Sequence, residues 1–184
     1  MKRADIEHLL PEIFQRTLPP DGEGDSLLRA YLSVMEILHA PTEEVLASLD
    51  AFFDAYRSPD RLVPYLAGWV DLDQVWLEDP DDYRAGQTPP FPTGLGRLRE
   101  LIAAAATLSR WRGTRAGLQQ FLETATGSRG FEIEEDVEGE DGGLIPFHIR
   151  VRVPASAQAH VAMIRRIIRI EKPAYVTFEL VVVE

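Results

Sequence analysis

The sequence predicts an α+β fold in which N-terminal helical segments lead into a small α-β-β-α-β module, an incomplete ferredoxin-like arrangement. Two changes of pattern carry this reading. Through residues 1–110, and again from Ser156 to Ile170, apolar residues recur at helical spacing, as in helices that bury one face. From Phe131 to Val153 and from Thr177 to Val183 they alternate with polar residues or form short β-branched runs, the pattern of strands. The chain therefore divides into a bundle-forming helical region, 1–110, with an exposed loop at 71–92, and an α-β-β-α-β module, 111–184.

The elements follow in order. Ile6, Leu9, Leu10 and Ile13 predict a helix over Ala4 to Gln15, broken by the Pro/Gly-rich stretch 19–25. Asp25 or Ser26 caps a second helix carrying Leu27, Leu28, Tyr31, Leu32, Met35 and Leu38, which ends near Pro41. A third opens at Thr42, with Glu43 and Glu44 favouring the positive end of its dipole. Its wide apolar face of Val45, Leu46, Leu49, Phe52, Phe53 and Tyr56 reads as core.

Asp60 caps a short fourth helix bearing Leu62, Val63, Tyr65, Leu66, Trp69 and Val70, with Pro64 in its first turn. Residues 71–92 are acidic and proline-rich and read as an exposed arm. Thr93 or Gly94 starts a helix striped by Leu95, Leu98, Leu101, Ile102, Ala105 and Leu108. Gly113 ends it and Thr114 caps the next, whose Leu118, Phe121 and Leu122 share a face up to Gly127.

Two strands that fit a hairpin come next; if Glu132 and Glu134 lie across from Arg152 and Arg150, opposite charges meet on the solvent face. A helix over Ser156 to Ile170 returns the chain to a final strand, Thr177 to Val183, parallel to its predecessor. Such a strand needs cover along its edge, and Val181 and Val183 place apolar surface on the face away from the helices.

Composition narrows the function. A net charge of −11 argues against general nucleic-acid binding, and no run approaches the roughly 18 to 20 apolar residues of a membrane span. The absence of cysteine excludes disulfides and thiol chemistry. After Met1-Lys2-Arg3 the sequence Ala4-Asp5-Ile6-Glu7-His8 lacks the apolar block of a secretory signal, which predicts a cytoplasmic location during assembly.

Catalytic signals are missing. The four histidines, His8, His39, His148 and His160, have no metal-ligand spacing, and neither a phosphate-binding loop nor Gly-x-Ser-x-Gly occurs. The acidic groups at 78–82 and 134–143 lack the spacing of an EF-hand and read as solvated loops. No catalytic residue, metal ligand or cofactor is expected. Trp111 and Arg112 admit two readings, an interaction hot spot or a local helix end in which Arg112 meets the last carbonyls.

Four short motifs occur in a set order: Leu62 to Trp69; Arg97 to Ile102; Trp111-Arg112-Gly113-Thr114-Arg115-Ala116-Gly117-Leu118; and Glu171-Lys172-Pro173-Ala174-Tyr175. Together they resemble the phage tail protein I family, and more narrowly its relatives in phage-tail-like contractile injection systems, over roughly Ser26 to Glu184. The resemblance implies a structural baseplate wedge subunit that joins a larger wedge protein and links the spike hub to the sheath. It singles out Trp69, Trp111, Arg112, Gly113, Thr114, Lys172, Pro173 and Ala174 as motif or partner-binding residues. The partners it implies are the larger wedge protein and other baseplate, hub and sheath components. Two other readings stand beside it: a tail-assembly adaptor or chaperone absent from the finished particle, and a tail-associated cell-wall hydrolase acting through the acidic loops.

Overall fold

A computed structural model describes residues 3–18, 26–77, 89–139 and 142–183. It is an α+β protein whose C-terminal part runs α-β-β-α-β, as the change of periodicity predicts. Contacts group the chain into two compact units, Met1–Ala51 and Phe52–Glu184. That boundary lies well before residue 110, where the sequence pattern changes, because helices from the 60s and 90s share one apolar core with the sheet.

The first unit holds α1 (Arg3–Leu9), α2 (Glu12–Gln15), α3 (Leu27–Ala47) and the start of α4 (Leu49–Phe52). Pro11 caps α2 and splits what periodicity reads as one helix, since its ring cannot continue α1. α1 packs on α3, with Ile6 and Leu32 buried. Pro41 does not end the second helix as expected. It sits inside α3, which runs 21 residues because one missing N–H removes a single rung and helix-compatible residues flank it on both sides. The break falls instead at Ser48, whose hydroxyl donates to the Glu44 carbonyl at 3.0 Å.

The expected aromatic core of the third segment is a second correction. Val45, Leu46, Leu49, Phe53 and Tyr56 are exposed, as are Leu27, Tyr31, Val34, Ile37 and Leu38 on α3. Leu27, Tyr31, Val34, Leu38 and Val45 follow the heptad spacing of a helix that packs along another helix. Leu27 is 89 % exposed and Ile37 71 %.

In the second unit, α5 (Val63–Trp69) carries Pro64 in its first turn, as predicted. Asp60 lies in a 3₁₀ turn (Asp60–Leu62) capped by Pro59, so it is no helix cap. Its carboxylate instead accepts from Arg99 at 2.6 Å, and Arg99 also donates to the carbonyls of Ala55 (2.6 Å) and Ser58 (2.8 Å). One arginine thereby ties the segment before α5 onto α6 (Leu95–Arg110).

The described ends of 71–92 are not an exposed arm. Leu72, Val75, Trp76, Leu77 and Phe91 are buried, with Trp76 edge-on to Phe91 at 5.3 Å and its indole N–H donating to the Pro89 carbonyl at 3.2 Å. Their irregular spacing hid them from a periodicity argument. Residues 78–88, which include the acidic group 78–82, lie outside the described residues.

α6 packs on α7 (Arg115–Thr126), and α7 and α8 (Val161–Glu171) pack on each other beside the sheet. The sheet order is β1-β2-β3, with β1 (Glu132–Glu134) antiparallel and β3 (Thr177–Val183) parallel to the central β2 (His148–Pro154). Glu132 stands opposite Arg152 and Glu134 opposite Arg150, the predicted register. Glu134 pairs with both arginines at 3.4 Å, and Arg150 also bonds Glu179 of β3. Slipping either pairing by one residue would turn these charges into the core, so the ladder fixes register. The acidic loop's Glu140 and Asp141 are outside the described residues.

Gly117 shows how tightly the α6–α7 turn is closed. A Cβ there would lie 2.1 Å from the Trp111 carbonyl oxygen, backbone that cannot step aside. Gly117→Ala is expected to lower stability by about 1–3 kcal/mol in urea unfolding. Gly96→Ala, with nothing within 4 Å, should leave it unchanged or raise it slightly.

Candidate interaction site

The turn between α6 and α7 and the segment leaving α8 come together although 59 residues separate their central pair. Trp111 ends α6, Gly113 turns with φ 76°, and Thr114 caps α7 by accepting from the Gly117 N–H at 3.1 Å. The same hydroxyl donates to the Trp111 carbonyl at 2.7 Å. Gly113 needs its positive φ; space is not the constraint, since an added Cβ would lie 3.9 Å from Pro173 Cγ, an ordinary contact.

Arg112 does not cap the helix as a local reading supposes. It crosses to Glu171, the last residue of α8, with Nε at 3.2 Å and Nη2 at 3.1 Å from Oε1. Asp71 adds a second carboxylate at 3.7 Å, from a residue held at φ 61° whose other oxygen accepts from Gln74 at 2.6 Å. The Glu171 hydrogen bond, with the charges of Glu171 and Asp71, holds the Arg112 pKa above its usual value. Glu171 is 5 % exposed, and a carboxylate so buried is costly unless a cation meets it. Arg112 is that cation.

Beside Glu171 lies a groove of about 260 Å³ lined also by Gly113, Thr114, Ile149, Lys172, Pro173 and Tyr175. At its mouth Phe147 and Tyr175 stand edge-on with ring centres 5.2 Å apart, 67 % and 69 % exposed. Phe147 has φ 53°, uncommon for a bulky residue, and this turns outward a ring that strand alternation assigns to the core.

The structure thus gathers Arg112, Gly113, Thr114, Lys172 and Pro173 at one place, with Ala174 exposed beside them. Trp111 is half exposed and contributes its carbonyl to the turn. Trp69 belongs elsewhere. It is 69 % exposed, stacks on Phe53 with ring centres 5.8 Å apart, and lines a groove of about 450 Å³ with Tyr56, Leu66, Val70 and Ile102. Nearby Asp54 has its pKa lowered chiefly by the Arg57 and Tyr56 backbone N–H groups it accepts from.

Sequence reasoning quoted Glu171 in a motif and gave it no role. The signal was there: Glu171 falls in phase with buried Ile164, Ile167 and Ile168, a carboxylate on an apolar stripe. Among the described residues no group of His, Cys, Asp or Glu is arranged to hold a metal ion, and no helix is long and apolar enough to cross a membrane.

Arg112→Ala strands the Glu171 carboxylate and should cost about 3 kcal/mol in urea unfolding. Pairing it with Glu171→Leu, which removes the buried charge as well, should recover more than half of that loss.

The chain matches a family model described as phage tail protein (Tail_P2_I) over residues 26–175, a span that contains all four motifs. No curated protein matches it. The matched span includes Arg112 and Glu171 and ends just after the Lys172-Pro173-Ala174 segment, and the family is one of phage tail structural or assembly proteins. The chain belongs to the phage tail protein (Tail_P2_I) family.

Proposed function

We propose that this chain is a structural baseplate wedge subunit of a contractile phage tail or phage-tail-like injection system, joining a larger wedge protein and linking the spike hub to the sheath. The observation that carries the proposal is the apolar face of α3, where Leu27, Tyr31, Val34, Leu38 and Val45 lie exposed at heptad spacing. A face of that length on a lone chain is a liability; in an assembly it is a seam for a partner helix. Interfaces of permanent complexes commonly bury about 2,000 Å² or more and resemble a core cut in half.

The Trp69–Phe53 stack and the Phe147–Tyr175 pair supply two further aromatic anchors, the residue types enriched at the centres of interfaces. The role is mechanical. Arg112 and Glu171 brace the second unit internally, and the α3 face of the first unit is the grip through which the chain would meet a neighbour. Work done by a baseplate rearrangement passes through such interfaces without a covalent step.

Tyr31→Glu combined with Leu38→Glu tests the seam. Both side chains are exposed, so the thermal unfolding of the isolated chain should stay close to wild type. Incorporation into purified tail particles, read by quantitative mass spectrometry, should fall at least tenfold. A wild-type chain missing from finished particles would instead mark an assembly adaptor.

A further inference from the structure

We propose that the free edge of β3 is completed, in the assembled particle, by an extended segment of another tail subunit that adds as a fourth strand. The segment would be neutral to basic, with apolar residues at alternate positions. This rests on the wedge reading and names one of its contacts.

Backbone parity defines the site. The Thr177 N–H donates to the Phe147 carbonyl at 2.8 Å, so Thr177 directs its backbone groups toward β2. In a parallel pair this direction alternates along the strand, and Glu179, Val181 and Val183 do the same. Phe178, Leu180 and Val182 then point their N–H and C=O groups outward. β3 is the edge of the sheet, and among the described residues no strand pairs with those three.

The two edges differ in how they are defended. β1 is three residues long with two glutamates, the short, charged edge that discourages pairing. β3 is seven residues long, and its single charge, Glu179, is already held by Arg150. Val181, Val182 and Val183 are exposed. A long, β-branched edge whose one charge is already paired suits strand addition, with backbone bonds for affinity and side-chain alternation for selection.

Charge selects the occupant. The chain carries −11, so a second copy brings a like-charged body to the edge, whereas a neutral or basic segment meets no such penalty. Apolar residues of the added strand would continue the row begun by Phe178 and Leu180, which pack against the core.

Hydrogen-exchange mass spectrometry of the Thr177–Val183 segment tests this, on the free chain and on purified tail particles. In the free chain the amides of Phe178, Leu180 and Val182 should exchange fast and the other four slowly; in particles all seven should be slow. Three fast amides persisting in particles that contain the chain would overturn the pairing while leaving the wedge reading intact. A chain absent from particles would overturn both. Slow exchange of all seven in the free chain, with a dimer mass by sedimentation, would assign the edge to a second copy and overturn the proposed occupant.

Two variants separate backbone from side-chain contact. Val182→Pro removes an outward N–H without touching the ladder to β2, and Val182→Thr keeps it. Incorporation of the proline variant should drop at least tenfold and that of the threonine variant less than twofold. Equal losses would overturn the strand-addition reading.

Discussion

The ion pair between Arg112 and Glu171 is the constraint on which the second unit depends. A carboxylate at the end of α8 lies in phase with Ile164, Ile167 and Ile168 and is drawn into the core with them. Arg112, just beyond the end of α6, crosses to meet it there. That crossing requires α6 to end at Trp111 and the chain to turn at once, which the positive φ of Gly113 and the Thr114 cap accomplish. α7 must then start close against the Trp111 carbonyl, which leaves no room for a Cβ at residue 117. Motifs far apart in the chain are one device.

From this device the geometry of the sheet follows. α8 delivers the chain at Lys172-Pro173-Ala174 to the start of β3, and with the end of α8 pinned to the α6–α7 turn, β3 begins beside the start of β2. The charges then finish the alignment. Arg150 sits on the central strand between Glu134 of β1 and Glu179 of β3, and Arg152 also meets Glu134, so the observed register is the one that brings these charges together. In a chain of net −11, the basic central strand is where acidic neighbours gain most.

Legibility in the sequence tracked periodicity. From Thr114 onward the order of elements and the Glu–Arg pairing were readable because strand alternation, a threonine cap and a proline stop agreed with one another, although the helix expected from Ser156 opens as a 3₁₀ turn over Ala155–His160 and is α-helical only over Val161–Glu171. Elements without a period were lost: Leu72, Val75, Trp76 and Leu77 are buried from a 3₁₀ turn whose spacing mimics a loop. Arg99 and Glu171, two charged residues that tie distant segments together, look like ordinary surface charges until their partners are in view. Phe147 misled for a different reason, since alternation predicts its side and only the backbone turn at φ 53° reverses it.

Where the sequence was misread at α3, the error is itself informative. An apolar face reads as core because burial is the usual fate of such residues, and periodicity reports that a face will be covered without saying by what. In this chain α1 covers one side of α3, with Ile6 and Leu32 buried, while Leu27, Tyr31, Val34, Leu38 and Val45 remain in solvent. The amount of apolar surface is therefore greater than the first unit, Met1–Ala51, can enclose. A helix face patterned for burial and exposed at these positions is the surface that the proposed partner would cover. The same logic applies to the edge of the seven-residue β3, and membership of a phage tail family agrees with the partners proposed for both surfaces.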